Sequence, residues 1–497
     1  MAPLTLDPVV TERLRDALES AGYTYDGVAG LLGPTAHAAL SRNETTPGLR
    51  ATATTSALAT LTRLFPLQAA VDLSAAEAAL PGLVDPLCVA GLLERSVGSV
   101  RARADVRPYA DEHRDWWVVS DLTPGLDGSP NRVAPDHVLG VSAASTSLAQ
   151  LTVRRTAERA LDLGTGCGVQ SLHLADHAGT VVATDVNPRA LAMTRLTAAL
   201  NRVAVEVRAG SLFEPVRRER FDLLVTNPPF VVSPGTGELL TYRDSGLPGD
   251  EVVRRVLTGA PAHLAPGGVA QVLANWVHVE GMPWQERVTG WLAPEDAEER
   301  CDAWVVQREV ADPAQYVELW LRDAGHDRSP DYTRRYDAWV GWFEQQRVTG
   351  IGFGWVTLRR TDREPTLRVE EWPYEVEQPL GPEVDAWLRR TDVLTTLDDE
   401  ALLATRWRVR ADVRQETAGV PGAADPEVVL LRQQRGLRRA RRVDTAEAAL
   451  VGASDGELTA AQIIDAVALL LSQEAVTLRE DLVVALRELV AEGFLER

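Results

Sequence analysis

The sequence predicts an α/β fold: a mainly parallel sheet with helices on both faces, flanked by two mainly helical portions. Three observations predict it. The runs 160–163, 181–184, 221–226 and 269–274 are short, β-rich and apolar on consecutive positions, as strands buried on both faces of a parallel sheet are. The stretches between them, such as 188–200, carry helical spacing. A glycine-rich string follows the first of these runs, where a strand turns into a helix.

Residues 1–135 read as an N-terminal accessory portion, mostly helical. Leu14 and Leu18 mark an amphipathic first helix, and Pro86 opens another that runs through 87–93. Val100, Ala102, Ala104 and Val106 alternate with Arg101, Arg103, Asp105 and Arg107, the period of a half-exposed strand, and 116–119 returns as its partner. Helices followed by such a hairpin resemble a winged-helix module. Nucleic-acid or peptide binding is one expectation for it, and a scaffold packed on its neighbour is the other.

Residues 136–360 carry the strand–helix alternation. It continues with strands at 303–307 and 350–359, separated by helices around 316–321 and 332–343. Residues 361–497 form a C-terminal accessory portion with strand-like pieces near 367–376 and 406–413. Ile463, Ile464, Val467, Leu470 and Leu471 form one helical stripe, and Leu482, Leu486, Leu489 and Val490 a second, stopped by Gly493 before Phe494 and Leu495. This ending is again winged-helix-like.

Composition narrows the classes. Against 71 acidic residues stand 51 basic ones, every one arginine, for a net charge of −20. That argues against wholesale clamping of nucleic acid while leaving room for a local basic patch. Cys88, Cys167 and Cys301 are widely spaced and odd in number, giving neither a disulfide framework nor a metal-ligand set. No apolar run approaches the roughly 20 residues that cross a bilayer. The opening stretch carries Asp7 and no basic residue, unlike a signal peptide. A cytoplasmic location without membrane or metal is the expectation.

The sharpest motif is Ala160-Leu161-Asp162-Leu163-Gly164-Thr165-Gly166-Cys167-Gly168-Val169. Glycines there let a backbone approach a ligand and make a turn that a Cβ obstructs. Dinucleotide enzymes use similar loops. Two acids favour S-adenosylmethionine instead. Asp162 places a carboxylate near a ligand ammonium or sulfonium, where a pyrophosphate is repelled. Asp185, about 20 residues on, ends the second strand where it can accept from both ribose hydroxyls. A tight turn with Asp185 as a helix cap is the competing reading. Ser211 and Leu212 follow the third strand.

Asn227-Pro228-Pro229-Phe230 follows the apolar strand 221–226. With D-x-G-x-G-x-G, then T-D-V-N-P, then N-P-P-F, the chain resembles the class I S-adenosylmethionine-dependent amino-methyltransferases. These act on adenine N6, on the exocyclic amine of guanine, or on the glutamine amide of release factors (the HemK-like group, with the methyltransferase small domain). The resemblance implies a Rossmann-like, seven-stranded core. It implies cofactor contacts from Asp162, Gly164, Thr165, Gly166, Gly168, Asp185, Ser211, Leu212 and Asn227, and catalysis by Asn227, Pro228 and Phe230. The chemistry suits those residue types. A planar NH2 nitrogen is a poor nucleophile because its lone pair is delocalised. Acceptors at Asn227 Oδ1 and the Pro228 carbonyl can draw its hydrogens and aim the lone pair at the methyl, prolines stiffen the loop, and Phe230 offers a stacking face.

The expected acceptor is RNA, ribosomal or transfer. A protein glutamine, a small-molecule amine and a non-catalytic cofactor-binding scaffold are the alternatives. Arg432, Arg435, Arg438, Arg439, Arg441 and Arg442, together with Arg101, Arg103 and Arg107, are the candidate phosphate contacts; a solvated helix face is the plainer reading of the first group. Ser145 and Thr146 lie near the expected cofactor and read first as helix-capping residues. The tryptophans from Trp276 to Trp355 read mostly as core, with one or two lining an acceptor pocket.

Overall fold

The computed structural model describes residues 4–126, 133–235, 246–293, 299–326, 329–421 and 426–497. They form two compact units, Met1–Ala149 with Arg155–Trp372, and Gln150–Arg154 with Pro373–Arg497.

In the first unit an eight-stranded sheet carries β1 (Ala157–Leu163), β2 (Ala178–Asp185), β3 (Val205–Ala209), β4 (Phe221–Thr226), β5 (Leu264–Val279), β6 (Cys301–Ala311), β7 (Val348–Arg360) and β8 (Leu367–Glu371). Their spatial order is β8-β6-β7-β5-β4-β1-β2-β3. From β3 to β5 all pairs are parallel, while β7 runs antiparallel to β5 and β6. This is the mixed, Rossmann-like sheet expected, with one strand more. The extra strand is β8, which pairs parallel with β6 from Ala303↔Leu367 to Gln307↔Glu371. None of its residues is fully buried, so its sequence lacks the apolar run that marks the inner strands. Helices α1 (Val169–Ala175), α2 (Pro188–Leu200), α3 (Pro313–Asp323) and α4 (Tyr332–Gln345) are the ones that bear on the site. The Asn187 side chain caps α2 through the Arg189 N–H, and Pro188 takes its first position.

The first 120 residues share a hydrophobic core with α1 and α2. Leu14, Leu18, Trp117 and Val119 lie in one buried cluster with Val169, Leu172, Met193, Leu196 and Leu200. The hairpin Asp105–Ala110 with Asp115–Ser120 is bonded to α2 and its end: the Val119 N–H donates to Thr197 Oγ1 at 3.0 Å and the Trp117 N–H to Asn201 Oδ1 at 2.9 Å. Helix Pro8–Ser20 buries Leu14 and Leu18 as expected. The alternating run 100–106 serves two sheets instead of one strand. Ser99–Ala102 closes a three-stranded sheet with Val71–Asp72 and Leu93–Ser96, and the chain then turns, with the Arg103 N–H donating to Leu92 O at 2.7 Å. Pro86 does not open its helix. It is the third residue of Val84–Val89, still in the first turn, where an N–H has no intrahelical partner to lose.

The second unit packs helices Gly381–Thr396, Thr445–Gly452, Ala460–Leu471 and Ala475–Glu492 around one apolar cluster, beside the three-stranded sheet Val413–Ala418, Val428–Gln433, Ala440–Val443. The stripe of Leu482, Leu486, Leu489 and Val490 is buried and Gly493 ends the helix at φ 80°. Leu470, by contrast, is 82% exposed, because Ala460–Leu471 runs past the core that holds Ile463, Ile464 and Val467. The strand expected over 406–413 is split: Arg408–Val409 pairs with Leu495–Glu496, and Val413 begins the next strand, opposite Gln433. No helix among the described residues is long and apolar enough to cross a membrane.

Candidate functional site

The site is assembled by strand register. Leu163 pairs with Thr184 on one side and Thr226 on the other, so the carboxyl ends of β2, β1 and β4 lie side by side. At about 4.8 Å per strand spacing, the turns after Asp185, Leu163 and Thr226 are immediate neighbours. The Thr226 hydroxyl donates to Leu163 O at 2.7 Å, tying the turn that carries Asn227 to the one that carries Gly164.

The glycine turn is held from beneath: the Gly164 and Thr165 N–H groups both donate to Thr184 O at 2.9 Å. Gly164, Gly166 and Gly168 have φ of 75°, 58° and 84°, a region costly for residues with a Cβ. A Cβ at Gly164 or Gly166 meets nothing within 4 Å, so the turn faces open space, whereas one at Gly168 presses on Thr194 at 3.2 Å. These glycines outline a cradle that small side chains would start to fill.

Asp162 sits under this turn, 1% exposed. Its Oδ2 accepts from Ser171 Oγ at 2.6 Å and Thr165 Oγ1 at 2.7 Å. Burial pushes its carboxyl up to about 6, against the pull of those two hydroxyls, and the charge on Asp185 adds to the rise. Thr165 thus turns its side chain inward onto Asp162. Asp185 is half-buried; its Oδ2 accepts from the Gly166 N–H at 3.0 Å and its Oδ1 from the Asn187 N–H at 2.8 Å. Burial raises its pKa against those backbone donors. Beside it Val186 is 65% exposed, an apolar face next to a carboxylate. Ser211 is exposed, and Leu212 holds a φ of 47°, a conformation costing about 1–3 kcal/mol for such a residue.

On the other side of β1, Asn227 is half-buried, Pro228 buried, Pro229 exposed and Phe230 half-buried. Asn227 Oδ1 is buried without a hydrogen-bond partner. Leaving such an acceptor unpaired costs about 1–3 kcal/mol. Cys167, inside the glycine turn, is buried and its thiol is pushed up to about 11 by that burial, so it is no nucleophile.

The structure therefore brings Asp162, Gly164, Thr165, Gly166, Gly168, Asp185 and Asn227 to one end of the sheet, with Ser211 and Leu212 just beyond β3. Sequence reasoning missed Ser171, Thr226 and Val186. The first two are supports visible only through contacts, and Val186 was legible as an apolar residue after the strand-ending acid. Ser145 belongs to a helix start: the Ser142 N–H donates to Ser145 Oγ at 2.8 Å and the Ser145 N–H to Ser142 Oγ at 3.2 Å. The arginine cluster lies on strands and their turn, not on a helix. Arg441 is gripped by Glu447, Glu488 and Glu492, Arg432 by Glu416, and Arg439 is buried. Arg103 pairs with Glu94 and Arg107 with Asp105. Among the described residues no cluster of three or more acidic, His or Cys side chains is placed to hold a metal ion.

Comparison with known proteins bears on the same segment. Residues 140–280 match the methyltransferase small domain, while residues 20–103 and 385–497 match two domains of unknown function (DUF7059 and DUF7782). A ribosomal protein uL3 glutamine methyltransferase of Bradyrhizobium diazoefficiens is 34% identical over 155 residues, 28% of this chain and 48% of that protein. The ribosomal RNA small subunit methyltransferase C of Citrobacter koseri is 30% identical over 185 residues, 36% of this chain and 49% of that protein. The chain thus spans about half the length of these relatives. A solved T. thermophilus 16S rRNA methyltransferase, in complex with AdoMet and guanosine, aligns over 48% of this chain and 60% of its own, with 16% identity and a TM-score of 0.28.

Proposed function

We propose that this protein is an S-adenosylmethionine-dependent N-methyltransferase acting on a planar NH2 group. The observation that carries the reading is the unpartnered, buried Oδ1 of Asn227 one strand away from an open glycine cradle. A buried acceptor without a donor is what an enzyme keeps for a donor that arrives with its substrate.

The cofactor supplies an electrophilic methyl on a sulfonium. The chain's own residues do the rest. Gly164 and Gly166 let the backbone approach closely, and Asp162 sets a negative charge beneath them. Asp185 keeps lone pairs free for ribose hydroxyls after accepting from Gly166 and Asn187. Val186 and the turn at Ser211–Leu212 flank the adenine. Asn227 Oδ1 and the Pro228 carbonyl accept from the acceptor's NH2, and Phe230 stacks on its plane. No strong base is needed, because positive charge moves from sulfonium to nitrogen and a proton leaves afterwards to water.

RNA, ribosomal or transfer, is the first reading of the acceptor, and the name of the methyltransferase C relative supports ribosomal RNA. A glutamine side chain is the second reading, favoured by the uL3 relative. The carboxylates that neutralise Arg441 and Arg432 remove part of the electrostatic case for RNA. Labelled S-adenosylmethionine, incubated with RNA and protein fractions from cells lacking this enzyme, distinguishes them. Label in an RNA fraction supports the first, label in a protein band the second, and label in neither overturns both.

The raised carboxyl of Asp162 gives the cofactor site a pH dependence. In the free chain the fold favours the neutral acid. Its contribution to stability is present below the ordinary value of 3.8 and is lost as pH rises through about 6. A cation held beside Asp162 favours the ionised form. Thermal stabilisation by S-adenosylmethionine should therefore be larger at about pH 7.5 than at about pH 5. Asp185, raised in the same direction, adds to this, so Asp162→Asn separates the two. A dependence that survives intact in Asp162→Asn would assign it elsewhere.

A further inference from the structure

After Thr226 the chain leaves the sheet, and the peptides beyond Phe230 are buried again: Val231 and Val232 are 0% exposed. Buried backbone N–H and C=O groups need partners. At Val232 both come from side chains of α3 and α4, the helices inserted between β6 and β7. The Val232 N–H donates to Tyr316 Oη at 2.8 Å, and Trp339 Nε1 donates to Val232 O at 3.0 Å. Both rings are 0% exposed. They meet edge-on with centroids 6.3 Å apart, and Tyr316 is wedged further by Phe343 and Phe353 at 6.2 and 5.8 Å. One residue on, the Gly249 N–H donates to Ser233 O at 2.8 Å.

The segment 227–231 is therefore a short span between two anchors, Thr226 on Leu163 O and Val232 in the aromatic clamp. Pro228 and Pro229 stiffen the span by fixing two of its φ angles, so a shift at Val232 is passed on towards Asn227. We infer that Tyr316 and Trp339 are positioning residues, which set the reach of Asn227 Oδ1 by gripping both backbone polar groups of Val232. The inference rests on the reading of Asn227 given above. The two aromatics never touch the acceptor. Their effect is on where Asn227 points, and displacement of a catalytic group by about 1 Å is enough to cost on the order of 10²-fold in rate.

The test uses the full chain with Tyr316→Phe, which keeps the ring and removes the hydroxyl, and with Trp339→Phe. Three quantities are read: hydrogen exchange of the 227–234 amides, S-adenosylmethionine affinity by calorimetry, and methyl transfer to whichever RNA or protein fraction the wild type labels. In Tyr316→Phe the Val232 amide should exchange about 10-fold faster or more, having lost a buried partner, while amides of the central strands keep their protection. The kcat should fall on the order of 10-fold or more, with KM for S-adenosylmethionine unchanged. The double variant should lose less than the product of the single losses, because the first already frees the peptide. Unchanged exchange at Val232, or wild-type kcat in Tyr316→Phe, overturns the clamp. So does a fall in kcat that comes with weakened cofactor affinity and faster exchange throughout, which is loss of fold. No transfer by the wild type to any fraction overturns the methyltransferase reading and takes the positioning role with it, whereas transfer that Tyr316→Phe matches overturns the clamp alone.

Discussion

Asn227→Ala should stop methyl transfer while leaving S-adenosylmethionine bound as tightly as before. The alanine removes the buried, unpartnered Oδ1 and nothing that supports the glycine turn, which rests on Thr184 and on the Thr226–Leu163 bond. Loss of one oriented acceptor at a nitrogen gaining positive charge costs about 10²-fold or more in rate. Asn227→Asp keeps the acceptor oxygen and should retain more activity than the alanine variant. Stability should not fall, and can rise, because the variant no longer buries an acceptor without a donor. Single-turnover rates alongside calorimetry check both halves. Near-normal turnover in Asn227→Ala would remove Asn227 from the mechanism.

Asp185→Ala should have the converse effect, weakening S-adenosylmethionine binding by about 1–3 kcal/mol, roughly 5- to 150-fold in Kd. Two losses combine there. The ribose hydroxyls lose their acceptor, and the N–H groups of Gly166 and Asn187 lose theirs, so the glycine turn and the start of α2 loosen together. Calorimetry with NAD as a control ligand distinguishes this from a dinucleotide site. Preferential NAD binding, or an Asp185→Ala protein that binds S-adenosylmethionine normally, would dismantle the assignment.

The parallel half of the sheet was legible because strands covered on both faces cannot hide their composition: the runs in β1, β2, β4 and β5 are mostly apolar on both faces, broken by single polar residues such as Asp162, Asp222 and Gln271. The Gly164–Gly168 turn and the Asn227–Phe230 string announced themselves because backbone geometry there tolerates few residue types. Elements whose sequence is ambiguous until a partner is known were lost. Strand β8 was expected as a strand-like piece of the C-terminal portion, and its place at the edge of the large sheet was missed because it carries no apolar run. The alternation at 100–106 is compatible with one strand or two, and only the turn at Arg103 decides. The arginines near 432–442 read as a solvated helix face or as phosphate contacts, and neither reading could see their partners, since two of the carboxylates that grip Arg441, Glu488 and Glu492, come from distant parts of the sequence. Tyr316 and Trp339 were read as helix residues. Their bonds to Val232 span 84 and 107 positions, beyond the reach of any local pattern.

The packing of the N-terminal hairpin on α2 bears on how such a protein can be inherited. Helix α2 begins at Pro188, three residues after Asp185, and its buried face takes Met193, Leu196 and Leu200 into the same cluster as Leu14, Leu18, Trp117 and Val119. Such a helix leaves little of its surface to water, with Pro188, Arg195 and Ala199 its exposed positions. Trading the first 120 residues for another module would strand those side chains, each worth about 1.5–3 kcal/mol when buried, directly behind the turn that presents Asp185. Replacing the N-terminal portion alone is therefore costly in stability: it is foundation to the half of the sheet that carries Asp185 and not freight attached to it.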